Sequence, residues 1–379
     1  MTGEGKTDNG LGAAKRLVVK IGSSLLVEEE TGAIRRSWLD SLADDVARLR
    51  ARGIEIVLVS SGAIALGRHG IGLTGKKRKL ALEEKQAAAA VGQIGLAHAY
   101  RESFARHAIA IAQILVTLRD TEEWRRHLNA RNTIATLLRL GAVPVINEND
   151  TVATEEIRFG DNDRLAARVA QMISADTLVL LSDIDGLYDA DPKRARDARH
   201  VDAVSEITPE IEGMAGAARP GYSSGGMVTK IAAAKVAMSA GCRMAIAFGR
   251  EAHPLATLEA GARATWFVPR TSPLTARRQL IATALMPAGS VTVDQGAAKA
   301  LGANKSLLPA GVVAVEGAFE RGDAIRVLGP DGAEIARGLS AYSAGDARRI
   351  MGHKSAEIEE LLGYRGREEL IHRDDLVLS

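Results

Sequence analysis

The chain has 379 residues, 46% of them hydrophobic, and sets 49 Lys and Arg against 47 Asp and Glu. A formal charge of +2 excludes attachment to polyanions through bulk charge alone, and the single cysteine, Cys242, excludes an intrachain disulfide or a cysteine-rich zinc site. No stretch reaches the ~18 uninterrupted apolar residues of a spanning helix. The opening MTGEGKTDNGLG lacks a signal-peptide core, so the expectation is a cytoplasmic protein of two domains.

In chain order, residues 1–14 read as a polar tail. Aromatics make up only 3% of the chain, so its core must come from Val, Ile, Leu and Ala, which suits strands covered by helices. Short apolar runs at 16–21, 54–59, 108–116, 143–147, 176–181 and 243–248 predict strands buried on both faces. Between the first two, Leu39, Leu42, Ala43, Val46 and Leu49 recur at helical spacing, with Ser37 and Asp40 as a start signal and Gly53 as a stop. Helices are also predicted over 129–140, ended by Gly141, and over 228–240, ended by Gly241. This alternation predicts a mostly parallel α/β sheet sandwiched between helices over 15–268, with ligands at the carboxyl ends of its strands. A linker at 269–285 follows. Short strands at 290–294, 312–315, 324–328 and 334–336, with a Gly329-Pro330-Asp331-Gly332 hairpin, then predict a small β-barrel over 286–370.

One glycine motif is a decoy. Residues 70–76 spell G-x-G-x-x-G and most of a P-loop, but Lys77 stands where Ser or Thr must bind magnesium, and no strand precedes it. The stretch 67–79 therefore reads as a flexible basic loop.

Four other segments follow predicted strands. Lys20 precedes a Gly22-Ser23-Ser24 turn that can surround a phosphate with N–H groups; alone, it reads first as a snorkelling lysine over an ordinary turn. Ser60-Ser61-Gly62 permits close approach of a ligand to the backbone, or is a plain tight turn. Asn147-Glu148-Asn149-Asp150 and Gly160-Asp161-Asn162-Asp163 concentrate carboxylates and amides able to hold an ammonium group and orient lysines, although Asp161 and Asp163 also suit a helix cap. Ser224-Gly225-Gly226-Met227-Val228-Thr229-Lys230 runs into a helix whose N-terminus favours an anion. A lysine there opposes the helix dipole, a cost that a bound phosphate would offset. Two lysines, two glycine turns and an acidic–amide cluster are what phosphoryl transfer without a P-loop requires.

In VVKIGSS (18–24), SSGAIALG (60–67), VPVINENDTVATEEIRFGDND (143–163), LLSDIDGLYDADP (180–192) and SGGMVTK (224–230), the chain resembles the glutamate 5-kinase family, an amino acid kinase domain followed by a PUA domain. The resemblance implies ATP-dependent phosphorylation of the γ-carboxylate of L-glutamate to L-glutamyl 5-phosphate, the first step of proline biosynthesis. It implies Lys20, Lys230 and Asp163 as catalytic residues, Asp163 orienting the lysines. The nucleotide site would comprise Lys20, Gly22, Ser23, Ser182, Asp183, Ser224, Gly225, Gly226, Met227, Val228, Thr229 and Lys230. Glutamate would meet Ser61, Asp150 and Asn162, with Asn147 and Asp161 nearby. Mg2+ would come with the nucleotide, no protein metal cage being apparent, and the resemblance adds proline as feedback inhibitor and a homo-oligomer. Ser182 and Ser224 stand where threonine is common in the family, one hydroxyl for another.

Another amino acid kinase, aspartate kinase-like, is the alternative enzyme; the second domain argues against it. RNA binding through the PUA domain is the non-enzyme alternative. Residues 286–379 carry 11 basic against 14 acidic side chains and three aromatics, Phe319, Tyr342 and Tyr364. That balance speaks against nucleic acid and leaves room for a localised arginine patch, for instance Arg348-Arg349.

Overall fold

The computed structural model describes residues 11–73, 80–152, 161–192, 194–195, 197–216, 226–283 and 286–379; the side chains of Trp124, Asp161 and Thr283 are outside that description. The chain divides into two units, Met1–Pro273 and Leu274–Ser379.

In the first unit the strands are β1 (Arg16–Ile21), β2 (Glu55–Ser60), β3 (Ile111–Val116), β4 (Val143–Glu148), β5 (Thr177–Ser182), the short β6 (Leu187–Tyr188), β7 (His200–Val201) and β8 (Ala203–Val204), then β9 (Arg243–Phe248) and β10 (Ala264–Phe267). The helices are α1 (Ser23–Leu26), α2 (Arg36–Ala51), α3 (Ala63–Gly70), α4 (Leu82–Ala105), α5 (Leu118–Glu122), α6 (Trp124–Arg139), α7 (Asp161–Met172), α8 (Pro209–Met214), α9 (Met227–Ser239) and α10 (Pro254–Glu259). The main sheet runs β3-β4-β2-β1-β5-β9-β10-β8. Its first six strands are parallel, and β10 is antiparallel to β9. The chain goes outward from β1 to β2 and on to the edge strand β3, comes back to place β4 between β3 and β2, then crosses to the other side of β1 with β5. The order thus reverses around β1, where open α/β sheets bind ligands.

Alternation along each strand builds two cores. Leu17, Val19 and Ile21 of β1 join Ile56 and Leu58 of β2 and Val179 and Leu181 of β5 on one face, under α2, α4 and α10. Val18, Val57, Leu178 and Leu180 join the opposite core, under α7 and α9. Lys20 lies two residues beyond Val18 and so belongs to the α7–α9 face.

Sequence and structure differ in instructive ways. The strand predicted over 108–116 starts at Ile111, because Ala108 takes a left-handed turn (φ 53°) after α4. Ser37 does not cap α2: Arg35 is the N-cap residue, and no side chain bonds there. Leu11, within the expected tail, is fully buried in the first core. Of the loop expected over 67–79, residues 67–70 finish α3, and 74–79 lie outside the described residues.

Most consequential is the pairing of α3 with α4. A Cβ on Gly67 would lie 1.8 Å from the Ala88 carbonyl oxygen, and one on Gly92 would lie 1.9 Å from that of Ala63. Ala63 and Gly67 on one helix thus cross Ala88 and Gly92 on the other, backbone against backbone.

The second unit contains most of α11 (Pro273–Thr283), where a linker was expected, and α12 (Gln295–Gly302). Its strands β11 (Gly289–Val293), β12 (Val312–Gly317), β13 (Ala324–Leu328), β14 (Glu334–Leu339) and β15 (Leu376–Leu378) form a separate sheet, β12-β11-β13-β14-β15, around its own core. The 329–332 hairpin joins β13 to β14, closed by Gly329 N–H donating to the Ala333 carbonyl. Arg277 pairs with Asp375 at 2.7 Å, both nearly buried.

Candidate active site

Three elements meet on the α7–α9 face at the carboxyl end of β1. Lys20 comes from the strand, Asp163 from the first turn of α7, and Lys230 from the first turn of α9. Lys20 Nζ lies 2.6 Å from Asp163 Oδ1, and Lys230 Nζ 3.1 Å from Asp163 Oδ2. All three are buried, Asp163 at 1% exposure. Thr229 Oγ1 lies 3.0 Å from Asp163 Oδ2, so one carboxylate gathers two cations and a hydroxyl.

Burial pushes the Lys20 ammonium below the usual lysine range; Asp163 opposes that shift and Lys230 adds to it. Burial alone would raise the Asp163 pKa, but the two ammonium groups outweigh it and hold the carboxyl below the usual aspartate range. The Lys230 charge at a helix N-terminus is therefore offset within the protein. The sequence called on a phosphate for this; the structure supplies Asp163.

Gly22 and Ser23 open α1 directly above Lys20, and a Cβ on Gly22 would lie 4.0 Å from Lys20 Nζ. Ser182 ends β5, with its Oγ 3.3 Å from Asp183 Oδ1. Asp183 is exposed, and its charge reaches Lys20. Beside it opens a cleft of ≈ 410 Å³, lined in part by Asp185, Phe248, Pro254 and Arg263. Gly226 is the N-cap residue of α9, Met227 packs against the second core and Val228 faces outward. Ser224 and Gly225 lie outside the described residues.

A second cluster gathers at the ends of β2 and β4. The Asn162 Nδ2 donates to Ser61 Oγ at 2.7 Å and to the Ser60 carbonyl at 3.2 Å, and sits 3.3 Å from Asn147 Oδ1. Gly62 (φ 109°) turns the chain from β2 into α3 in a conformation that side chains rarely adopt. Asp150 is buried two residues beyond β4. Asp161 starts α7, its side chain outside the description.

Sequence reasoning missed Gln93, whose Oε1 accepts from Asn147 Nδ2 at 2.9 Å, and Tyr100, which donates to Ser60 Oγ. Both come from α4; Gln93 stands among small or apolar neighbours and Tyr100 beside the ordinary charged face of Arg101 and Glu102, so nothing local marked them. Among the described residues no three of His, Cys, Asp and Glu are grouped to hold a metal ion. No helix among them is long and apolar enough to cross a membrane.

The class this fold and site define is the amino acid kinases, whose family model matches residues 15–247; a PUA domain model matches 289–362. A glutamate 5-kinase of Paramagnetospirillum magneticum is 62% identical over 369 residues, covering 97% of this chain and 99% of its own. A glutamate 5-kinase of Rhodospirillum rubrum is 60% identical, covering 96% of each chain. Among solved structures, a carbamate kinase from Giardia lamblia bound to AMP-PNP overlays 68% of this chain at 15% identity, with a TM-score of 0.49. The chain belongs to the amino acid kinase family, among the glutamate 5-kinases.

Proposed function

We propose that this protein transfers the γ-phosphoryl group of ATP to the γ-carboxylate of L-glutamate, giving ADP and L-glutamyl 5-phosphate, the opening step of proline biosynthesis. The observation that carries the reading is the buried Lys20–Asp163–Lys230 cluster. A glutamate side chain has a pKa of ~4.3 and is ionised at neutral pH, so no general base is required. The chemical difficulty is the repulsion between two anions held in line.

Lys20 and Lys230 offset that repulsion and follow the charge as the phosphoryl group moves, and Asp163 fixes their spacing. Gly22, Ser23, Ser182, Asp183 and the 224–230 stretch border the nucleotide. Ser61, Asn147, Asp150, Asp161 and Asn162 border glutamate, with the Asn162 Oδ1 acceptor suited to its ammonium group. Among the described residues Asp163 is engaged by two lysines and Asp183 is a single exposed carboxylate; magnesium would come with the nucleotide and would screen its phosphates there.

Feedback inhibition by proline, a homo-oligomeric state and a cytoplasmic location belong to the same reading, on the family resemblance. RNA binding is not favoured: Arg348 donates to the Gly317 carbonyl and Arg349 to that of Leu361, so both arginines of the patch offered as an instance are tied within the unit.

Incubation with ATP, Mg2+ and glutamate, with hydroxylamine to trap the acyl phosphate, tests the proposal. Glutamyl hydroxamate is expected. Product with aspartate and none with glutamate would overturn the substrate assignment.

A further inference from the structure

We propose that Gln93 is a positioning residue for acceptor recognition: it braces the Asn147 amide by accepting from its Nδ2, and through Asn147 steadies the Asn162 side chain, whose Oδ1 meets the acceptor's ammonium group. The inference rests on the proposed glutamate reading and adds to it a residue on α4, outside every motif read from the sequence.

Two backbone groups anchor the assignment. Glu148 N–H can only donate, and it donates to Asn147 Oδ1 at 2.9 Å. Asn147 Nδ2 must therefore lie on the other side of the amide, where Gln93 Oε1 accepts from it. At the far end, the Ser60 carbonyl can only accept, and it takes a proton from Asn162 Nδ2. The same Nδ2 faces Asn147 Oδ1 and Ser61 Oγ. Rotating the Asn147 amide by half a turn would set its NH2 against both Glu148 N–H and the Asn162 NH2, donor against donor.

The relay leaves one group over. Asn162 Oδ1 is buried and has no hydrogen-bond partner among the described residues. A buried acceptor without a donor is costly, and it persists where a ligand supplies the donor. An α-ammonium is such a donor. Gln93 governs how firmly that acceptor is held, because Asn147 is itself buried (2% exposed) and loses its Nδ2 partner when Gln93 goes.

The fold places Gln93 with little freedom. It follows Gly92, whose backbone meets α3 at Ala63, and α3 starts from the Ser60-Ser61-Gly62 turn. The glycine crossing and the amide relay thus hold one wall of the site.

The test compares the wild type with Gln93→Leu and Gln93→Glu, using hydroxamate kinetics and thermal melting. Gln93→Leu removes the acceptor oxygen at similar size; Gln93→Glu keeps it. The expectation is a rise of about tenfold in the KM for glutamate in Gln93→Leu, with kcat and the KM for ATP nearly unchanged, and a return to within about threefold in Gln93→Glu. A purely structural role would lower the melting temperature and move both KM values together. An unchanged glutamate KM in Gln93→Leu, or equal impairment in both variants, would overturn the inference. A wild type that phosphorylates another carboxylate and not glutamate would overturn the functional reading alone; the same KM criteria then apply to that acceptor.

Discussion

At the scale of single residues, the centre of this site is a charge arrangement that water would weaken and burial sharpens. Two ammonium groups share one carboxylate, and Lys20 carries the cost as a pKa below the ordinary 10.5. Lys20 acts as a cation, so activity should fall on the alkaline side as it loses its proton, with an apparent pKa below 10.5. The profile of kcat/KM for ATP reports this for the free enzyme. The sign is tested by Asp163→Asn, which removes the countercharge that raises Lys20 while Lys230 still lowers it. Its alkaline limb should move to lower pH, kcat should drop by at least ~100-fold, and stability should fall by about 3–5 kcal/mol for the uncompensated buried charges. A limb that stays in place, or moves up, would show that Lys20 does not set it.

At the scale of elements, what could be read in the sequence followed from how each element is buried. Arg16–Ile21 and Arg243–Phe248 form where their apolar runs predict, because strands covered on both faces are apolar through most of their length, Lys20 near the end of the first being the exception that serves the site. Asp163 and the asparagines were legible because each stands in a dense polar motif at a strand or helix end, and the lysines because each neighbours a glycine turn. The α3–α4 pair was not legible. Its contact face is Ala and Gly, which carries no hydrophobic stripe, and residues 67–70 spell part of a loop-like glycine string. Gln93 was hidden for a related reason: its partner Asn147 is 54 residues away, and only the crossing brings them together. Gly92→Ala tests the crossing. The added methyl would lie 1.9 Å from the Ala63 carbonyl, so the helices must part. A loss of about 3 kcal/mol is expected, lowering the melting temperature by roughly 6–12 °C in a unit of this size, together with a higher glutamate KM from the displaced Gln93. A stable variant with normal KM would mean that the helices part without cost.

At the scale of the whole molecule, the division of labour follows from where the cores lie. Every residue assigned to catalysis or ligand binding lies between Lys20 and Lys230; these residues and the neighbouring cleft fall inside Met1–Pro273, and the two cores on either face of the main sheet support them. The second unit has its own sheet and its own core, including Val291, Ile325, Val327 and Ile350, and closes α11 onto its C-terminal segment through Arg277 and Asp375. A unit with a core of its own can fold alone. A chain ended after Pro273 should therefore still fold and form glutamyl hydroxamate, with kcat within about threefold of the full chain, because no group assigned to the chemistry is removed. The full chain should melt in two transitions, and the truncated chain should keep the one that ATP and glutamate raise, since a ligand that binds only the folded unit stabilises that unit. Loss of all turnover in a truncated chain that melts cooperatively would place a needed group beyond Pro273. The second unit would then be part of the catalytic machinery rather than an appended module.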